Sequence, residues 1–96
     1  MKLTWHALAK EEFHEAIDFY LTHACLDIAG KFATATHKTV SLLQAHPAIG
    51  SPTHFGARRI PLQGFPFNLV YRTNAHGVII VAIANQSRRP RYWAGR

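Results

Sequence analysis

After Asp27 this sequence has no carboxylate. All five acids, Glu11, Glu12, Glu15, Asp18 and Asp27, fall in the first 27 residues, while nine of the eleven lysines and arginines lie between Ile28 and Arg96. That larger part of the chain is a cation of about +9, which points to a polyanionic partner, nucleic acid or an acidic protein. Cysteine is nearly missing too. Cys25 is alone, so no intrachain disulfide can form, as suits a reducing compartment. Long apolar runs are absent: the longest, Val78 to Ala84, has seven residues, far short of the roughly 20 a membrane helix needs. The start, MKLTWHALAKEEF, has neither the apolar core nor the cleavage pattern of a signal peptide. These absences predict a soluble cytoplasmic protein with no membrane association.

Familiar chemical motifs are also missing. The seven histidines, at 6, 14, 23, 37, 46, 54 and 76, are never three or four apart, so no helical turn pairs them, and no cysteine pair supports a metal site. There is no glycine-rich phosphate loop with a following lysine and no dinucleotide fingerprint. Cys25, with His23 two residues away, reads as incidental rather than nucleophilic. The acids of the first helix read as a solvated face. No cofactor and no metal are expected.

What is present fits one domain over residues 1–96, with 48% apolar content. Lys2–Trp5 alternates as a short strand does. Phe13, Ala16, Ile17, Tyr20, Leu21 and Ala24 recur at helical spacing, with Glu11, Glu12, Glu15 and Asp18 opposite, and predict a helix over 7–23. Asp27 is placed to cap a second helix with the stripe Ile28, Ala29, Phe32, Ala33, Val40 and Leu43, ended by His46-Pro47. The short link between them predicts an antiparallel hairpin. PAIGSPTHFG reads as a loop. Three strands follow: Ala57–Leu62, where Pro61 suggests an edge or a bulge, Phe67–Thr73, and Val78–Asn85 after the turn Asn74–Gly77. The last is too apolar for a wet face and is expected to be central. The fold class is α+β: an N-terminal strand, a helical hairpin and a three-stranded antiparallel sheet, with a basic C-terminal tail.

The segments RRIPLQGFPFNLVYRT and RRPRYW, together with LTWHALAKEEFHEAIDFY and the PAIG that closes the second helix, resemble the RelE/ParE superfamily of toxins from bacterial type II toxin–antitoxin modules. The resemblance covers nearly the whole chain and is greatest to the ParE branch. It implies a growth-arresting, plasmid-stabilising type of toxin, neutralised by a cognate antitoxin that is acidic and partly disordered. Such a segment would fold across the helices and the sheet edge as it gains contacts and ion pairs. ParE-like members poison DNA gyrase. RelE-like members cleave messenger RNA on the ribosome, with basic residues on the sheet and a tyrosine in the tail.

Of the RelE-like set, Arg59 stands at a basic position, but Pro61 and Asn68 stand where a lysine and an arginine are usual. Tyr92 matches the tail tyrosine, with Trp93 as close to that place. A gyrase-directed, non-nucleolytic action is therefore the favoured reading. Ribosome-dependent RNA cleavage through Arg59, Arg88, Arg89 and Tyr92, with His54, His76 or Tyr92 as acid or base, is the alternative, and a plain nucleic-acid-binding module is a third. The residues expected to meet the target are Arg58, Arg59, Arg72, Arg88, Arg89, Arg91 and Tyr92. Trp93 is expected to anchor the tail on the sheet, and Pro90 to keep the tail from continuing a strand. Arg88 and Arg89 have no carboxylate near them in sequence and are expected to be free.

Overall fold

The computed structural model describes residues 2–96. Strand β1 (Lys2–Trp5) leads into helix α1 (Ala7–His23) and helix α2 (Leu26–Ala45), followed by β2 (Ser51–Pro52), a single 3-10 turn (His54–Gly56), β3 (Arg58–Pro61), β4 (Phe67–Asn74) and β5 (Gly77–Asn85). Helix α1 starts where His6 caps it, its Nδ1 accepting from the Leu8 N–H at 3.1 Å. Cys25, not Asp27, is the residue before α2, and it makes no side-chain cap bond. Asp27 lies inside the first turn, where its charge suits the helix dipole and where it pairs with Lys31 at 3.1 Å. Leu21 also departs from its predicted place: it is exposed, and the buried face of α1 is Ala9, Phe13 and Ala16.

The sheet has five strands in the order β1-β5-β4-β3-β2. It is mixed rather than purely antiparallel, because β1 runs parallel to β5 while the other pairs are antiparallel. Parallel neighbours need a long connection, and here the helical hairpin and three strands separate the two. β5 is thus interior, flanked by β1 and β4. Pro61 ends β3 beyond the two pairs that β3 makes with β2, so its missing N–H leaves no ladder bond unmade.

The irregularity that Pro61 suggested lies in β5 instead. Val70 faces Ala82 and Tyr71 faces Ile80, so Val81 is an extra residue. The bulge divides the apolar run VIIVAIA between two layers. Val78, Ile80 and Ile83 join Phe13, Phe32, Leu43, Leu69 and Tyr71 beneath the helices. Val81, Ala82 and Ala84 join Val70, Ala57 and Trp93 on the opposite face. Under the helices the Phe32 ring meets Tyr20, Phe65 and Phe67 at centroid distances of 5.5, 5.3 and 5.3 Å, within the range for favourable aromatic pairs.

Two glycines are dictated by close approach. At Gly77, φ is +148° and a Cβ would lie 2.0 Å from the Lys2 carbonyl oxygen, so only glycine lets β1 pair there. At Gly50 a Cβ would lie 2.8 Å from the Tyr71 hydroxyl. That hydroxyl ties down the loop after α2 from within the core: it donates to the Pro47 carbonyl at 2.7 Å and accepts from the Gly50 N–H at 3.0 Å. Tyr71 is fully buried, so Tyr71→Phe strands both backbone groups. The variant should lose about 1–3 kcal/mol with the slope of a urea melt unchanged, which equilibrium unfolding will measure.

Candidate functional site

After β5 the chain reverses. Gln86 N–H donates to the Pro66 carbonyl at 2.8 Å, and Ser87 N–H to the Asn85 side chain at 2.9 Å. The segment Arg88–Arg96 then runs as a series of turns across the face of the sheet away from the helices. Trp93, 5% exposed, fills the hollow that Ala57, Val70, Val81, Ala82 and Ala84 leave there. The small side chains of β5 are therefore the floor on which the indole rests. Phe55 meets it edge-on at 6.4 Å and Arg72 lies over its ring at 5.8 Å.

The tail is gripped at a second place by Glu12, from helix α1, with its side chain only 10% exposed. Its Oε1 accepts from Arg96 Nη1 at 2.8 Å and its Oε2 from Arg96 Nη2 at 3.0 Å, a bidentate fork. Oε2 also accepts from the Tyr92 hydroxyl at 2.6 Å, Oε1 from the Ile83 N–H at 3.1 Å, and Arg88 Nη1 stands 3.7 Å away. The Arg88 guanidinium lies 4.0 Å over the Tyr92 ring. Arg72 closes the end of the chain by donating to the Arg96 carbonyl at 3.1 Å. Two expectations are corrected here. Glu12 belongs to no solvated face, and Arg88 is not free, because the fold brings to it a carboxylate 76 positions earlier in sequence.

Burial raises the Tyr92 phenol pKa well above its ordinary value of 10.0, reinforced by the hydrogen bond to Glu12 and its charge, with Arg88 and Arg96 opposing. The phenol is thus a firmly held donor. Arg96 is itself raised: burial works against its charge, and the bond to Glu12 and the Glu12 charge more than offset that.

Between the tail and the β3–β4 face lies a concavity of about 490 Å³, bordered by Arg59, Arg88, Arg89, Arg91, His54 and Asn68. Among the described residues no carboxylate lines it. Of the bordering arginines, Arg59, Arg89 and Arg91 make no ion pair among the described residues, and three unpaired arginines around one hollow suit an oxyanion, phosphate or carboxylate, with forked donors. Tyr92 and Trp93 form its wall toward the tail. The other predicted residues stand elsewhere. Arg58 turns under the sheet edge to donate to the Gly50 and Ala48 carbonyls at 2.7 and 3.3 Å. Arg72 is taken up by the Phe55 and Arg96 carbonyls. His76 lies in the β4–β5 turn, beside Lys2 and Thr4. Among the described residues no group of three or more His, Cys, Asp or Glu side chains clusters to hold a metal ion.

Residues 3–90 match the family model of the ParE toxin of type II toxin-antitoxin system, parDE. The chain belongs to the ParE toxin family. Among solved structures it is similar to one described as the chromosomal ParDE TA system from P. aeruginosa, with a TM-score of 0.78, 25% identity, and cover of 88% of this chain and 95% of that chain. No curated protein sequence matches it. The span matched to the ParE toxin model holds Glu12 and ends at Pro90, so Tyr92, Trp93 and Arg96, the residues that Glu12 and the sheet grip, lie beyond it. No helix of this ParE-family chain, among the described residues, is long and apolar enough to cross a membrane.

Two outcomes follow from the geometry. Trp93→Ala should cost about 3–5 kcal/mol, as for a buried tryptophan. Arg89→Ala with Arg91→Ala, which removes two exposed cations that pair with no acid, should hold the melting point within the ~0.5 kcal/mol typical of surface changes. Thermal melts of both variants check the contrast.

The second outcome concerns pH. A phenol whose folded pKa is raised contributes stability that is complete below its unfolded value and is lost as pH climbs past it. The denaturation midpoint should fall between about pH 9 and about pH 11, and should fall less in Tyr92→Phe.

Proposed function

We propose that this ParE-family chain is the toxin of a two-protein module, that it arrests growth by poisoning DNA gyrase without cutting RNA, and that a cognate antitoxin neutralises it. One observation carries the choice of a non-nucleolytic action. The arginine-lined concavity has cations but no free acid–base pair. Cleavage by attack of a 2′-hydroxyl needs a base, an acid and cations around the phosphate. Tyr92, the tail tyrosine, has its proton committed to Glu12 at 2.6 Å. Asn68 and Pro61 bring no charge to the places where the RNA-cleaving relatives are expected to carry cations. His54 is the one imidazole bordering the concavity.

The antitoxin reading has its own support. Leu26 and Phe19 are 77% and 56% exposed on the helical hairpin. A groove lined by Tyr20, Leu26, Asp27, Lys31, Lys38 and Phe65 runs between α2 and the turn before β4. Lys31 is paired with Asp27 at 3.1 Å, which among the described residues leaves Lys38 as the unpaired cation beside an apolar floor, a surface that suits an amphipathic segment that orders as it binds.

Expression of this chain alone in a sensitive bacterium should stop growth, and co-expression with its acidic partner should restore it. Purified protein should trap gyrase–DNA cleavage complexes and leave messenger RNA intact on translating ribosomes. Normal growth at confirmed expression would remove the toxin reading. Codon-phased RNA cuts would replace gyrase with the ribosome and give His54 the acid–base role.

A further inference from the structure

We propose that Glu12 is a positioning residue for the toxin's action: from helix α1 it fixes the C-terminal turns and so sets where Arg89 and Arg91 stand at the concavity. The inference rests on the proposed function of that concavity. Arg89 and Arg91 stand out by what they lack. Among the described residues neither side chain has a hydrogen-bond or ion-pair partner, so nothing on the sheet fixes them directly. Their place is set by the backbone that carries them. That backbone is held on both sides by one carboxylate: Arg88, just before, lies 3.7 Å from Glu12 Oε2, and Tyr92, just after, donates to the same oxygen at 2.6 Å. Arg96 closes the grip from the chain end with two bonds.

A second observation agrees. Arg91 has φ +64°, in the left-handed region that residues with a Cβ seldom occupy. Such a conformation persists where the surroundings over-determine it. Here the surroundings are Pro90, whose ring fixes its own φ, the Ala94 N–H, which donates to the Arg91 carbonyl at 3.0 Å, and Tyr92, held by Glu12. Released from the carboxylate, Arg91 would relax and carry its guanidinium away. Trp93, with the Arg72 bond to the Arg96 carbonyl and the Arg96 bond to the Val81 carbonyl, would still hold the far end of the tail to the sheet, and the arginines before it could swing about that end.

The test compares Glu12→Gln with Val40→Ala, a core change beneath the helices that lowers stability without touching the tail. Both are assayed below their melting temperatures. In Glu12→Gln, trypsin should cut the Arg91–Tyr92 bond faster than in the wild type, the Tyr92 phenol should titrate at lower pH, and growth arrest should be lost. In Val40→Ala, all three should stay as in the wild type. Growth arrest that persists in Glu12→Gln with the tail released would overturn the proposal. So would equal loss in Val40→Ala, which makes stability the cause.

Should Glu12→Gln fail to fold, Tyr92→Phe with Arg96→Gln removes the grip from the tail side and leaves the helix intact. Loss of arrest there supports the proposal, and retention overturns it. A wild-type chain that does not arrest growth would instead remove the reading on which the inference rests.

Discussion

The nearly buried carboxylate of Glu12 is the constraint around which the rest of this molecule is arranged. A lone charge at 10% exposure is costly unless it is paired and fully hydrogen-bonded. Glu12 meets both conditions through groups that lie far away in sequence: the Ile83 N–H, the Tyr92 hydroxyl and the Arg96 guanidinium. The dependence is mutual. Without the tail the carboxylate would keep one backbone donor. Without the carboxylate the tail would be a cationic segment held by Trp93 and by the backbone bonds at Arg96, with no acidic side chain within the last 69 residues. An uneven distribution of charge along the chain becomes, in three dimensions, a local pairing that draws first helix and last residue together.

That pairing explains the apolar character of β5. A strand covered by helices on one face alone needs alternating residues, and this one is apolar on both. The extra residue at Val81 turns Val81, Ala82 and Ala84 toward the tail while Ile80 and Ile83 stay under the helices. Alanines rather than larger residues then make the depth that the indole of Trp93 occupies. The result is three layers, helices, sheet and tail, in a chain of 96 residues. The outer layer consists of the residues that also border the arginine-lined concavity.

Local pattern was enough to read the helices and the central place of β5, but not β2: PAIGSPTHFG, expected to be a loop, contributes the two-residue edge strand Ser51–Pro52 and the turn His54–Gly56, because two residues are too few to show a period. The first helix runs over the predicted 7–23 because its apolar stripe is a short-range signal. The parallel pairing of β1 was not legible, since no local feature of KLTW distinguishes a strand paired with β5 from one paired elsewhere; it is settled by the crossover through the helices. Asp27 was misplaced because a carboxylate serves equally well as a cap or in the first turn.

The larger miss was Glu12. Helical periodicity puts it beside the apolar stripe, adjacent to Phe13, but its partners lie 71 to 84 positions away. Pattern within a window of eighteen residues carries no trace of that. The arginines of the tail were legible as a group. Which of them are used within the fold, Arg88 and Arg96, and which are left open at the concavity, Arg89 and Arg91, follows only from the tertiary contacts.

The account stands on energetic coupling between a helix residue and the last residue of the chain. A double-mutant cycle measures it without reference to any target: Glu12→Gln, Arg96→Gln and the two together, each unfolded at equilibrium at neutral pH. Hydrogen bonds between charged groups in a shielded site contribute about 1.5–3 kcal/mol, and coupled pairs depart from additivity by about 0.5–3 kcal/mol. The cycle should give a coupling of about 1.5 kcal/mol or more, with the double variant more stable than the sum of the single losses implies. A coupling near zero would contradict the account, because the carboxylate and the tail would then fold independently.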